Sequence, residues 1–280
     1  MASSRSPFPW EEILDLLSSY YGTGDWRRPY LRDHAENPFQ VLIGTILSQR
    51  TRDENTDRAS ALLFARFPDA RSLADAPLPE VERLIRATGF YRVKARAIVA
   101  CAATLLDRFG GVPPPSFETL MSLPGVGPKT ANCVLVFGYG IPAIPVDTHV
   151  HRIANRLGVV RTLRPDETER ALREVLPDRF WIPLNPLLVQ HGQNVCRPIG
   201  PRCGECPIAA LCATGRALKA GRPPPRLQDA PPGSGATPRA RRASVRRSPR
   251  GPPRRPRTSS PRRANRKGRR RPPRRRAGPS

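Results

Sequence analysis

The stretch LPGVGPKTANCVLVFG, from Leu123 to Gly138, places two glycines, a proline and a lysine ahead of an apolar run. It predicts a short helix ending at Leu123, a tight PGVG turn and a second helix starting near Pro128. The glycines allow the backbone to approach another molecule closely, and the N–H groups of the turn and of the second helix point outward together. This arrangement predicts an anion site that suits a phosphate.

Lys129 is unusual for its residue type. The chain has 44 arginines but lysine only at Lys94, Lys129, Lys219 and Lys267. Arginine would suffice to neutralise a phosphate, whereas a lysine amine can lose its proton and act as a nucleophile. The sequence therefore predicts either a nucleophile or a lysine that only contacts phosphate or solvent.

Asp147 lies directly before the segment THVHRIANRL, which has the pattern of a helix. An aspartate at this position is a good N-cap. The same carboxylate could also stabilise a developing cation and move protons for the lysine. The two interpretations are compatible, and we expect both.

The remaining folded part reads as helices. NPFQVLIGTILSQRT offers Asn37 as an N-cap, RVKARAIVACAATLLDRFGG is stopped by Gly110, and DTHVHRIANRLG ends at Gly158. Period-2 alternation bounded by turn signals is absent from the sequence. We therefore predict an all-α fold.

Four of the six cysteines fall in CRPIGPRCGECPIAALC with the spacing C-x6-C-x2-C-x5-C: Cys196, Cys203, Cys206 and Cys212. In a reducing compartment, four thiolates in one short loop indicate a metal centre. The spacing fits a tetrahedral zinc or an iron-sulfur cluster and does not decide between them. Cys101 and Cys133 lie within apolar helices and are interpreted as core residues.

Charge is concentrated at the C-terminus. Residues 216–280 hold 23 Lys and Arg and one acid, which makes +22 of the net +25, so residues 1–215 are close to balanced. This Arg/Pro-rich segment is too poor in apolar residues to fold, and we predict a disordered tail that binds polyanions. The alternative is a coding bias or a misread frame.

The N-terminus MASSRSPFPWEE lacks an apolar targeting region, and no run of apolar residues is long enough to span a bilayer. We expect a soluble intracellular protein without a membrane partner, cytoplasmic or associated with the nucleoid if the source is bacterial or archaeal.

The order LPGVGPKTA, VDTH and C-x6-C-x2-C-x5-C resembles the endonuclease III group of the helix-hairpin-helix DNA glycosylases. The resemblance covers about Pro9 to Gly215 and implies a bilobed fold with double-stranded DNA in the groove between the lobes. The implied parts are an N-terminal helix within 9–29, a six-helix barrel at 30–147 with the hairpin at 115–138, a cluster lobe at 148–215 and the tail at 216–280.

By the same resemblance, Lys129 falls on the Schiff-base lysine of the family and Asp147 on its catalytic aspartate. The implied activity is that of a monomeric, bifunctional enzyme, which removes oxidised pyrimidines from duplex DNA and cleaves abasic sites by β-elimination. The resemblance also favours a [4Fe-4S] cluster over zinc, in a structural or DNA-positioning role.

The segment TGFYRVKA matches the family pattern and makes Phe90 the apolar wedge that fills the gap left by the flipped base, although a core phenylalanine is the alternative. The loop ILSQRTRDENT departs from the commonest pattern, so either Gln49 or Arg50 faces the orphaned base. The expected backbone contacts to DNA come from His149, Gly125, Val126, Gly127, Arg197 and Arg202.

Two other functions stay open on the sequence. A monofunctional mismatch glycosylase would hydrolyse the base without a lyase step. A non-catalytic protein would use the hairpin fold and the Arg-rich tail only to bind DNA. The pairing of Lys129 with Asp147 argues against the second.

Overall fold

The computed structural model describes residues 8–23 and 37–225. These residues belong to one compact unit that spans Met1–Thr237, and the unit Pro238–Ser280 lies outside them. Within the described ranges there is no strand, which confirms the all-α prediction. The helices are α1 Trp10–Tyr21, α2 Pro38–Ser48, α3 Asp53–Arg66, α4 Ala70–Ala74, α5 Leu78–Leu84, α6 Tyr91–Phe109, α7 Phe117–Met121, α8 Pro128–Cys133, α9 Thr148–Leu157, α10 Pro165–Val175, α11 Trp181–Asn194 and α12 Ala213–Lys219.

The predicted helix ends are confirmed where local chemistry determines them. The side chain of Asn37 accepts hydrogen bonds from the N–H groups of Phe39 and Gln40 and so caps α2. Gly110 and Gly158 end α6 and α9 in the left-handed conformation that glycine adopts without strain. These helix ends follow from the sequence because each depends on a single residue directly next to the helix.

Two hydrophobic cores contain most of the buried apolar side chains. One core contains residues from α2 to α8 and ends at Ala143. The other contains α1 together with α9, α10 and α11, and it begins again at Ile144. The chain therefore passes from one core to the other three residues before Asp147.

Buried asparagines hold the segment that joins the cores. Asn132 of α8 donates to the carbonyl of Ile144 at 3.3 Å, and Asn185 of α11 donates to the carbonyl of Pro145 at 2.7 Å. Buried carbonyl groups need such partners because an unpaired one carries a desolvation penalty. Asp147 is thus placed by hydrogen bonds from both sides.

The predicted start of the tail at Arg216 is wrong by four residues. Helix α12 extends to Lys219, since its sequence ATGRALK is rich in residues with high helix propensity. The rest of the predicted disordered tail, from 226 to 280, lies outside the described residues.

Among residues 8–23 and 37–225, no helix combines the length and the apolar character needed to cross a membrane.

Candidate active site and nucleic-acid interface

The hairpin predicted from PGVG consists of α7, a turn and α8. Helix α7 ends at Met121 and α8 starts at Pro128, with Gly125 at a φ of +78° in the turn between them. Within the described part of the chain, the N–H groups of Gly125, Gly127 and Lys129 have no hydrogen-bond acceptor. A side chain at Gly127 would meet nothing within 4 Å, so this face of the turn is open to a ligand.

Lys129 is partly buried in the first turn of α8, and Cys133 lies one helical turn further on. Burial raises the pKa of the Cys133 thiol, the interaction with Lys129 lowers it, and the charge of Asp147 raises it. The lysine, the thiol and the carboxylate therefore share one small region. The interpretation of Cys133 as a buried residue is confirmed, although its neighbours are the two proposed catalytic groups.

Asp147 caps α9 with one of its two carboxylate oxygens. Oδ1 accepts hydrogen bonds from the N–H groups of His149 at 2.9 Å and Val150 at 2.8 Å. Both cap bonds end on the same atom, which leaves Oδ2 outside the cap. The N-cap prediction is confirmed, and Oδ2 remains available for another interaction.

His149 is fixed by Arg152, one turn later on α9. The guanidinium of Arg152 donates to Nδ1 of His149 at 3.0 Å and to the carbonyl of Gly192 at 3.0 Å. Because Nδ1 accepts this bond, the neutral ring carries its proton on Nε2. A Cβ at Gly192 would lie 2.3 Å from Nδ1 of His149, so helices α9 and α11 meet here at a spacing that only glycine allows.

Gln49 and Arg50 have different surroundings. The amide of Gln49 donates to the carbonyl of Gly125 at 3.1 Å and so ties its loop to the hairpin. The guanidinium of Arg50 instead lies over the ring of Phe90, 5.8 Å from its centroid. Phe90 is 62% exposed, so its interpretation as a core residue is wrong. Phe90 directly precedes α6, and its ring lies at the surface there.

Lys94 connects the loop of Gln49 and Arg50 to the loop of Phe90 through hydrogen bonds of its buried amine. It is 5% exposed, and its amine donates to the carbonyl of Leu47 at 2.6 Å and to the hydroxyl of Thr51 at 2.7 Å. The same hydroxyl accepts the N–H of Gly89 at 3.1 Å. Burial lowers the pKa of Lys94 to about 8.

The four clustered cysteines line one cavity. Its remaining walls are largely apolar, with Ile153, Leu157 and Ile208 among them. None of these four cysteines forms a disulfide bond. Burial, together with the charges of Cys196, Cys212 and Cys203, raises the pKa of Cys206 to about 11.

The arginines of the cysteine loop lie at the surface. Arg197 donates to the carbonyl of Asn194 at 3.2 Å, and Arg202 pairs with Glu205 at 3.6 Å, with both side chains of this pair well exposed. An exposed pair contributes little to stability, so Arg202 can exchange its partner for a phosphate at small cost.

Comparison with known proteins gives the family. Residues 43–178 match the HhH-GPD superfamily of base excision DNA repair proteins. Endonuclease III of Thermotoga maritima is 50% identical over 182 residues, which are 65% of this chain and 85% of that protein. The chain belongs to the endonuclease III family. Endonuclease III of Synechocystis is 39% identical over 74% of this chain and 92% of its own length.

Solved structures of the endonuclease III family support the same family assignment. A trapped endonuclease III–DNA covalent intermediate is 34% identical, with a TM-score of 0.66 over 76% of this chain and 97% of that one. A thermostable thymine-DNA glycosylase, 22% identical with a TM-score of 0.65, shares the fold. The chain is a bifunctional base excision repair enzyme, a DNA glycosylase with AP lyase activity.

Sequence reasoning missed three supporting residues of this endonuclease III family member. Lys94 and Arg152 position the predicted site residues without facing the open surface, and Cys133 contacts the proposed nucleophile from inside the core. The sequence contained one signal for Lys94: it is one of only four lysines in this arginine-rich chain, as Lys129 is. Arg152 and Cys133 carried none, because their partners lie on other elements or one turn away.

Proposed function

We propose that this protein removes oxidised pyrimidines from double-stranded DNA, with Lys129 as the nucleophile and Asp147 as the catalytic carboxylate. The observation that supports the assignment is the shared surroundings of Lys129 and Asp147 next to an open hairpin turn. Abasic sites are the second proposed substrate, and the proposed working form is a monomer in the compartment that holds the DNA.

The chemistry of the residues gives the sequence of steps. The damaged nucleotide leaves the stack, because its C1′ is not accessible within a duplex. Oδ2 of Asp147, which takes no part in the cap, stabilises the cationic sugar as the base departs. The amine of Lys129 attacks C1′, and the C1′–O4′ bond opens as a proton passes from the amine to O4′, which gives an imine. Loss of the C2′ proton from this imine then expels the 3′ phosphate from C3′.

Backbone contacts to DNA are assigned to three groups. The free N–H groups of Gly125 and Gly127, with Val126 between them, suit one phosphate. His149 offers its Nε2–H to another, because Arg152 occupies Nδ1. Arg197 and Arg202 supply positive charge from the cysteine loop.

Arg50 and Phe90 are proposed to fill the space left by the flipped nucleotide. Gln49 is bound to the hairpin carbonyl, whereas Arg50 and Phe90 are exposed side by side. An exposed aromatic ring beside a cation is suited to contact unstacked bases.

The cysteine cavity is proposed to hold a [4Fe-4S] cluster. The donor set fits, because four free thiols surround one largely apolar cavity. Four cysteine thiolates can also hold a tetrahedral zinc ion, which is the alternative to the cluster. Cys196, Cys203, Cys206 and Cys212 would hold the cluster, which would cross-link the loop that follows α11.

Borohydride trapping tests the proposal. A duplex with one thymine glycol, incubated with the protein and borohydride, is expected to yield a covalent adduct that Lys129→Ala abolishes. Lys219→Ala is the matched control, because it removes an exposed lysine from α12 and should leave the adduct unchanged. Base release without an adduct would instead identify a monofunctional glycosylase, and DNA binding without base release a non-catalytic protein.

A further inference from the structure

A buried histidine connects the helix α1 to the cysteine cavity. His191 of α11 is 1% exposed and lines that cavity. Its Nδ1 lies 2.9 Å from the hydroxyl of Tyr21 in α1, and its Nε2 lies 3.5 Å from Sγ of Cys206. The three polar groups therefore form one chain of hydrogen bonds that ends at a proposed cluster ligand. The proposed steps of base removal and strand cleavage use neither Tyr21 nor His191.

The proton positions in this chain follow from its two ends. A cysteine that ligates iron is a thiolate without a proton, so a hydrogen bond between Cys206 and the ring must be donated by Nε2. Burial disfavours the charged form of an imidazole, so the ring carries this one proton and Nδ1 is an acceptor. Burial, together with nearby charges that include Cys206, raises the pKa of Tyr21 to about 12, so the phenol keeps the proton that it donates to Nδ1.

A hydrogen bond to a ligating sulfur changes how easily the cluster accepts an electron. Reduction adds one negative charge, part of which lies on the sulfur atoms. An N–H directed at a sulfur stabilises the reduced form more than the oxidised form, and so raises the reduction potential. The walls of the cysteine cavity are largely apolar, which strengthens this interaction because little water screens it.

We propose that His191 donates a hydrogen bond to the cluster ligand Cys206, that Tyr21 holds the ring in the donating tautomer, and that the pair raises the reduction potential of the cluster. This inference rests on the proposed [4Fe-4S] cluster. Tyr21 and His191 are positioning residues, because they act on the cluster through Cys206. A pair that only anchored α1 to α11 would leave the potential unchanged.

The test measures the reduction potential of the purified, cluster-containing protein by a redox titration followed through the visible absorption. His191→Met removes both ring nitrogens and is expected to shift the potential to a more negative value. His191→Gln keeps an N–H donor near the position of Nε2 and should retain the parent potential. Tyr21→Phe should shift the potential in the same direction as His191→Met but by less, because the ring is then free to turn and to move its proton to the other nitrogen.

Tyr20→Phe is the matched control. Tyr20 directly precedes Tyr21 on α1 and is 47% exposed, and this variant loses the same hydroxyl group. Its potential should equal that of the parent. Tyr21→Phe combined with His191→Gln should have the potential of His191→Gln alone, because an amide has no tautomer for the phenol to fix. Thermal unfolding confirms that each variant is folded.

Resonance Raman spectroscopy gives an independent readout of the same hydrogen bond. Parent protein whose cluster is reconstituted in D₂O is expected to show shifted iron–cysteine stretching bands relative to protein reconstituted in H₂O. His191→Met should lose part of this shift, and Tyr20→Phe should keep all of it.

An unchanged potential in a cluster-containing His191→Met would overturn the inference, and so would equal shifts in His191→Met and His191→Gln. If His191→Met does not fold or loses the cluster, Tyr21→Phe and Tyr20→Phe decide the question, since equal potentials of these two variants would also overturn it. Iron and sulfide analysis of the parent separates this failure from failure of the proposed cluster. A colourless parent with one zinc ion would contradict both, whereas a full cluster with unchanged potentials contradicts only the role of the pair.

Discussion

Asp147 caps α9, and the same side chain is proposed to have a chemical role. Its Oδ1 accepts both cap hydrogen bonds of α9, and its Oδ2 is the oxygen proposed to face the sugar. Asparagine is as good an N-cap as aspartate, but it carries no charge. A substitution can therefore remove the chemistry without removing the cap.

Asp147→Asn is expected to keep the free energy of unfolding within about 0.5 kcal/mol of the parent. The single-turnover rate of base release should fall by about 100-fold or more, because the charge that stabilises the cationic sugar is lost. Chemical denaturation and single-turnover excision measure the two effects. Asp147→Ala is the comparison, since it should lose both the rate and about 1 kcal/mol of stability. Equal stability of the two variants would show that the cap contributes nothing.

At the scale of elements, Lys94 joins the start of α6 to the end of α2. Its amine is buried and bonds the carbonyl of Leu47 and the hydroxyl of Thr51. Lys94→Met keeps the length of the side chain but leaves that carbonyl unpaired, so the free energy of unfolding should fall by about 1–3 kcal/mol. Urea denaturation measures the change. Lys219→Met, at an exposed position of α12, should leave stability unchanged.

The pH dependence of the free energy of unfolding, measured for the parent and for Lys94→Met, provides a second check on the burial of Lys94. The pKa of Lys94 is about 8 in the folded protein because of burial, against 10.5 for an unperturbed lysine. Between these two values the unfolded chain keeps a proton that the folded protein has lost, so the free energy of unfolding rises with pH. The stability advantage of the parent over Lys94→Met should therefore grow from pH 8 to pH 10.5. A constant difference would mean that the lysine is not buried.

Elements could be predicted where their signals are local. Asn37 caps the start of α2, and Gly110 and Gly158 end α6 and α9, each through nearby backbone groups. The hairpin followed from PGVG for the same reason. The contact between Arg50 and Phe90 could not be predicted in this way, because it joins two loops forty residues apart and depends on the missing side chain of Gly89. The environment of Cys133 was also missed, because helical periodicity shows that a thiol is buried but not what it faces.

At the scale of the whole molecule, charge and chemistry occupy different parts of the chain. Residues 226–280 contain 20 of the 48 Lys and Arg residues and one acid, whereas the proposed catalytic residues all lie within 37–225. The basic segment can bind phosphates by releasing counterions without taking part in the reaction. Affinity and catalysis should therefore be separable.

Deletion of residues 226–280 is expected to weaken binding to undamaged duplex and to reduce the slope of log affinity against log salt. The single-turnover rate at saturating protein should stay the same, because every proposed catalytic group remains. Fluorescence anisotropy across a salt series and rapid-quench excision measure these quantities. A fall in the chemical rate would show that the segment acts in the reaction itself.

The close approach of α9 and α11 at Gly192 restricts which residues can stand at this position. His149 occupies the space in which any side chain at that position would stand, so a single added methyl group would act as a wedge between α9 and α11. Asp147 caps the start of α9, and α11 leads into the cysteine loop. We therefore expect that no other residue can replace this glycine without moving the proposed catalytic carboxylate relative to the cysteine loop.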